Sequence, residues 1–305
     1  MNVRITNFGS CCIDNVYRVP HFVRPGETLP TLSHDIYPGG KGLNQSLALA
    51  AAGASVQHAG RVGADGEWLR TLLAERGVDV ELLRVGEGAS GHAVIQVNPA
   101  GENAIVIFGG TNRSMSDEDV ADVLSQCRVG EYLLLQNEIN RTPEIMKAAA
   151  SRELKVVFNA APMADDVLAY PLETVSLFVV NEIEGQALSG KTRPEEIIDE
   201  MLARFPGAGV ALTLGDQGAM YGDESQRLVQ PAFRVDAVDT TGAGDTFTGY
   251  FLEGLSGGAD TAVALRTACQ AAAICVTRPG AASSIPLLRE VHAAGGQDQA
   301  SSGSR

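Results

Sequence analysis

Asp239-Thr-Thr-Gly-Ala-Gly-Asp-Thr-Phe247 sets three small residues, Gly242, Ala243 and Gly244, directly ahead of an acid, Asp245. A helical pattern starts there, because Phe247, Phe251 and Leu255 recur at four-residue steps and share one apolar face. The small residues therefore fall at a helix amino terminus, where free N–H groups and the positive end of the helix dipole favour an anion. Asp245 lies in the same first turn. A carboxylate beside an anion cradle suits phosphoryl transfer: the acid takes a hydroxyl proton while the amides hold charge developing on the phosphoryl group. An ordinary glycine-rich turn capped by an aspartate fits the same residues.

Over most of the length, apolar strand-like runs alternate with helical stretches. Tyr132–Gln136, Lys155–Asn159, Val175–Val180 and Val210–Leu214 read as strands, and Pro143–Arg152, Pro194–Phe205 and Thr261–Val276 as helices. That rhythm predicts an α/β fold, a doubly wound and mostly parallel sheet flanked by helices. Met1 to Ile13, with Val3, Ile5, Phe8 and Cys11 in near-alternation, reads as a first strand rather than a signal peptide. Two regions break the rhythm. Residues 14–38 are rich in proline, and residues 91–112 hold paired runs, His92–Val97 and Ala104–Phe108, around an Asn98–Asn103 turn. Together they are expected to form a small β-sheet lid whose exposed face needs a cover, such as the same sheet of a second subunit. The core is then 1–13, 39–90 and 113–294, the lid 14–38 and 91–112, and 295–305 a disordered tail.

Composition narrows the function. The 305 residues carry a net charge of −14, with 45% hydrophobic and 20% charged residues. Such acidity argues against nucleic acid or an anionic membrane surface as partner, and no run is long and apolar enough to span a bilayer. Cys11, Cys12, Cys127, Cys269 and Cys275 are odd in number and lack metal-ligand spacing, so they read as reduced thiols of a cytoplasmic protein.

A second glycine-rich segment, Tyr37-Pro-Gly-Gly-Lys-Gly-Leu-Asn44, leads into a helix with Leu43, Leu47 and Ala51 on one face and Gly53 as its C-cap. Lys41 and Asn44 share the face at its start. The segment lacks the spacing of a Walker A loop, and no Gly-x-Gly-x-x-Gly follows the first strand, which disfavours a dehydrogenase. Asp14 and Glu138 follow strands, where α/β sheets place ligand-binding groups, although each also suits a plain turn. Asn181-Glu-Ile-Glu184 begins a helix, so Glu184 could hold a metal-bound water near phosphates or merely complement the helix dipole. Thr213–Gly218 could line a nucleotide or form a hairpin turn. Gly63-Ala-Asp65 reads as an N-capped helix start.

Taken in order, these segments resemble the ribokinase group of the PfkB carbohydrate-kinase family over residues 1–290. Gly39–Gln45 running on to Gly63–Asp65 resembles the first family signature, and Asp239–Phe247 the second. Asn181–Glu184 looks like the family's Asn-x-x-Glu element, and Val276–Ala281 like its segment near the nucleotide. The resemblance implies an ATP-dependent sugar kinase. Asp245 would be the general base, with Gly242, Ala243 and Gly244 as the anion hole. Asp14, Gly40, Lys41, Asn44 and Glu138 would bind the sugar, ribose or a related pentose. Asn181, Glu184, Thr213 and Gly215 would serve ATP and Mg²⁺. Asp239, Thr241, Cys275, Arg278, Gly280 and Ser284 would form a K⁺ site, mostly through backbone carbonyls. The lid would also be a homodimer interface.

One departure bears on the sugar. Ribokinases carry Asn where this chain has Cys12, in Cys12-Ile-Asp14, and a thiol donates and accepts more weakly than an amide. A sugar lacking a hydroxyl, such as deoxyribose, gains plausibility, alongside a ketohexose or a nucleoside. A non-catalytic sugar-binding regulator is the alternative from another class, and retention of Asp245 beside its anion hole argues against it.

Overall fold

The computed structural model describes residues 3–294; the tail assigned to 295–305 lies outside them. The chain first forms β1 (Ile5–Phe8), β2 (Cys12–Arg18), β3 (Ser33–Gly39), α1 (Lys41–Ala52), β4 (Val56–Gly63), α2 (Glu67–Glu75) and β5 (Leu83–Gly86). There follow β6 (Gly91–Val97), β7 (Asn103–Phe108), α3 (Asp117–Ser125), β8 (Tyr132–Gln136), α4 (Thr142–Ala150), β9 (Lys155–Asn159) and β10 (Val175–Asn181). The remainder is α5 (Glu182–Ser189), α6 (Pro194–Arg204), β11 (Gly209–Thr213), β12 (Gly218–Gly222), β13 (Arg227–Pro231), α7 (Ala243–Ser256) and α8 (Thr261–Cys275).

Nine strands make one sheet in the order β13-β12-β11-β10-β9-β8-β1-β4-β5, in which only β12 runs antiparallel to the rest. Strand alternation explains why both its faces are covered. Val156, Phe158, Phe178, Val180, Val210 and Leu212 point to one side and pack with α3, α4 and α6. Their neighbours Val157, Leu177, Val179 and Ala211 point to the other side, toward α1, α2, α7 and α8. Phe247 and Phe251 are buried in that second layer, as their spacing predicted.

A separate four-stranded sheet has the order β3-β2-β6-β7, with β2 and β6 parallel. Residues Ile36, Asn15, Val94 and Val106 lie in one cross-strand row, and Phe108 shares their face. Asp14 belongs to the opposite face, in a row with Ala93 and Ile107. Val106 is 69% exposed, Ile36 55% and Phe108 53%.

Two expectations need correction, and one pair of alternatives proves compatible. Residues 1–13 are not one strand: β1 ends at Phe8 and β2 starts at Cys12, so Asp14 sits inside a small-sheet strand instead of a loop. Asp65 does not cap a helix; its carboxylate accepts from the N–H and hydroxyl of Ser90 and ties the loop before β6 to the end of β4. Thr213–Gly218 is both hairpin and cleft wall, since it joins antiparallel β11 and β12. Among the described residues no helix is long and apolar enough to cross a membrane, and the five cysteines are free thiols.

Candidate active site

The core strands end in polar residues on one edge of the sheet. Gln136 ends β8, Asn159 ends β9, Asn181 ends β10 and Thr213 ends β11, while Ser10 follows β1. The chain reverses its direction across the sheet between β1 and β8, the place where open α/β sheets form a crevice.

The amino end of α7 stands over this crevice. Gly242, its N-cap, adopts φ 79°, a left-handed conformation that lets the chain turn sharply into the helix, and a Cβ there would meet Ala281 Cα at 3.0 Å. The N–H groups of Gly242, Gly244 and Asp245 have no acceptor among the described residues. That of Ala243 makes a long bond of 3.3 Å to Thr240 O, so it is less free than expected. Asp245 is 6% exposed and held from two sides: Asn44 Nδ2 donates to Oδ2 at 3.1 Å and Gln45 Nε2 to Oδ1 at 2.9 Å.

On one side of that turn lie Asp14, Gly40, Lys41, Asn44 and Glu138. Glu138 accepts from Ser10 Oγ and from the N–H of Lys41 at 2.8 Å, so it caps the positive end of α1. Burial pushes its carboxyl above the ordinary range. Asp14 is pushed up to about 6, first by burial and then by the Glu138 carboxylate. Its carboxylate lies so close to Gly39 that a Cβ there would meet Oδ2 at 2.1 Å. Lys41 answers this acidity: Asp245 foremost, then Glu138 and Glu184, hold its ammonium protonated against the effect of burial. Asn44 Oδ1 is buried without a partner among the described residues. Asn112 clamps the peptide of Cys11 with both ends of its amide and donates to Cys12 Sγ at 3.4 Å. Burial keeps the Cys12 thiol protonated.

On the other side opens a cleft of about 850 Å³ lined by Asn181, Thr213, Gly215, Ala243 and Gly244. Its apolar wall includes Phe233, Val235, Ala272 and Val276, a slot of suitable character for a flat heterocycle. Glu184 is a capping-box partner: it accepts from Asn181 N and Nδ2, each at 3.0 Å, while Asn181 Oδ1 accepts from its N–H. Burial raises its carboxyl, and Lys41 and Asp245 are both within its electrostatic reach.

Behind α7, Asp239 accepts from Thr241 N and Oγ1 and from Gly280 N, joining two turns. Hydrogen bonds from these groups keep its carboxyl below the ordinary range in spite of partial burial. Cys275 Sγ lies 3.0 Å from Ser284 Oγ and 4.0 Å from Thr241 O. The Arg278 guanidinium donates to Glu290.

The residues missed by sequence reasoning are Ser10, Gln45, Asn112, Gln136 and Asn159. A signal for two of them was present, because Leu-Leu-Leu-Gln136 and Val-Val-Phe-Asn159 each close an apolar run with an amide.

The sequence matches the pfkB family carbohydrate kinase over residues 3–288. It is 34% identical over 302 residues to the ribokinase of Haemophilus influenzae, covering 95% of this chain and 97% of that one. Identity to the deoxyribokinase of Salmonella typhimurium is 30% over 299 residues, with 94% and 96% coverage. The structure of Arabidopsis thaliana ribokinase complexed with ribose and ATP superposes with a TM-score of 0.84 at 28% identity, covering 96% of this chain and 98% of that one. The polar strand ends, the capped α1 and the open amino end of α7 thus occur in a chain that belongs to the pfkB carbohydrate kinase family.

Proposed function

We propose that this protein transfers the γ-phosphoryl group of ATP to the primary hydroxyl of ribose. One observation carries the reading: a buried carboxylate, Asp245, and unbonded N–H groups occupy the same helical turn, between a polar pocket and a nucleotide-sized cleft. Ribose would lie against Asp14, Lys41, Asn44 and Glu138, and the partnerless Asn44 Oδ1 would accept one of its hydroxyls. ATP would occupy the cleft with its phosphates toward Gly244. As the sugar oxygen bonds to the γ-phosphorus, its proton passes to Asp245 and the bond to the departing ADP breaks. The amides of Gly242 and Gly244 stabilise charge on the transferred group.

The residues present fit two ions in different degrees. Among the described residues no group of three or more His, Cys, Asp or Glu could hold a metal ion. Magnesium would therefore rest mainly on ATP phosphates and water, with Glu184 at its edge, and would neutralise phosphate charge. The paired turns at Asp239–Thr241 and Cys275–Ser284 suit potassium held by carbonyl oxygens. The five thiols favour a reducing, cytoplasmic setting, and the apolar outer row of the small sheet favours a homodimer with that sheet as lid and interface.

A coupled ATP assay with ribose tests the reading. Asp245→Asn should lower kcat by about 10²–10⁴-fold while ribose binding persists; wild-type turnover in that variant would refute it. Cys12 favours a second acceptor, 2-deoxyribose. Restoring an amide with Cys12→Asn should shift preference toward ribose by about 1–3 kcal/mol, on the order of tenfold or more in kcat/KM. An unchanged ratio removes Cys12 from sugar selection.

A further inference from the structure

A series of buried amides runs from the backbone of α1 to Asp245, and its direction is fixed at both ends. At the far end Asn7, in β1, donates through Nδ2 to Gly42 O at 2.7 Å and to Ser46 Oγ at 2.8 Å. A peptide carbonyl only accepts, so this amide cannot be reversed, and its Oδ1 is the acceptor presented to Gln136. Gln136 Nε2 gives one hydrogen to Asn7 Oδ1 at 2.9 Å and the other to Gln45 Oε1 at 2.7 Å. Gln45 in turn directs its Nε2 hydrogens to Asn159 Oδ1 at 3.1 Å and Asp245 Oδ1 at 2.9 Å. Asn159 is locked like Asn7, since its Nδ2 donates to Val179 O at 2.8 Å. Two backbone carbonyls therefore set the sense of four side-chain amides, and the last N–H is aimed at the carboxylate.

The arrangement has a visible cost. Asn7, Gln45 and Gln136 are fully buried, yet Gln136 Oε1 has no partner among the described residues. Turned round, Gln136 would set that oxygen against Asn7 Oδ1 and Gln45 Oε1, two acceptors. Partnerless buried polar atoms are rare in folded proteins, and this one stands where direction is kept at the expense of satisfaction.

The geometry points to Gln45 as a positioning residue for phosphoryl transfer, oriented by Gln136, Asn7 and Asn159 so that it can only donate to Asp245. The inference rests on Asp245 being the base. Gln45 and Asn44 hold one carboxylate oxygen each, which fixes the plane of the group before any sugar arrives. A base misplaced by a fraction of an ångström loses alignment with the attacking hydroxyl.

Gln45→Met keeps the side chain's length and removes its hydrogens. Gln136→Glu changes no group in contact with Asp245, but a carboxyl there has at most one hydrogen for the two acceptors Asn7 Oδ1 and Gln45 Oε1, so the bonds that orient Gln45 cannot all be kept. Ribose calorimetry on each variant and on Asp245→Asn gives the folded, binding-competent fraction, and kcat is normalised to it. Both relay variants should lose about 10–100-fold in normalised kcat, with KM for ribose and ATP within about threefold of wild type. Normalised kcat near wild type in both, with Asp245→Asn inactive, overturns the positioning role and leaves the relay purely structural. Full turnover in Asp245→Asn overturns the base assignment itself, and this inference with it.

Discussion

Asp14 is where a single residue's chemistry is most open to measurement. Its carboxyl is raised from 3.8 to about 6 by burial and by Glu138, so the charged form is held at a cost in the free protein. The sign follows directly. Asp14 contributes stability below its unfolded value, and that contribution is lost as pH rises through about 6. Sugar binding runs the other way, because an ionised Asp14 accepts from hydroxyls. The KM for sugar should therefore climb as pH falls below about 6. Asp14→Asn should abolish that dependence, weaken binding, and raise the melting midpoint of the sugar-free protein at neutral pH. A titration of KM alongside thermal melts checks both signs; a flat KM in wild type would remove Asp14 from sugar contact. Lys41, Asn44, Glu138 and Asp245 stand out in the sequence because each sits at a recognisable break, a strand end or a helix start, whereas Asp14, expected after a strand, lies inside β2. Gln45 and Gln136 do not stand out. A buried glutamine is identified by what faces it, and Asn7, Asn159 and Asp245 come to face these two only after distant segments have packed.

Among the elements, α7 depends most on one backbone conformation. Gly242 at φ 79° turns the chain so that the N–H groups of Gly244 and Asp245 find no acceptor among the described residues. Gly242→Ala should cost about 1–3 kcal/mol of stability from the left-handed backbone alone, with further crowding against Ala281. If the cradle is what speeds transfer, kcat should fall more than either KM; an equal loss of ribose affinity and turnover would place the defect in the acceptor pocket instead. The helix itself was legible from Phe247, Phe251 and Leu255, as was α1 from its glycine entrance and the Gly53 cap. Legibility failed at Gly63–Asp65. An aspartate ahead of a helix looks like a cap, but Asp65 is claimed by Ser90 from a segment far along the chain, a partner that local spacing cannot reveal.

For the molecule as a whole, the core followed from the alternation of apolar runs, since a strand buried on both faces has few sequence alternatives. The small sheet was harder to read because its strands carry apolar residues on both faces. Its register explains this: Asp14 shares one face with Ile107, and Val94 shares the other with Val106. Val106→Glu, placing charges on the outer row, should convert a dimer into monomers in sedimentation experiments while leaving the catalytic groups in place; an unchanged sedimentation coefficient would argue against that face as the interface. The small sheet is built from two separate excursions of the chain, and its parallel centre joins β2 to β6 across the whole of α1, β4, α2 and β5. It is therefore not a cassette. Neither excursion can be cut out or transplanted alone without stripping the other of its neighbour, and during synthesis β2 must wait, one edge bare, until the ribosome has delivered its mate.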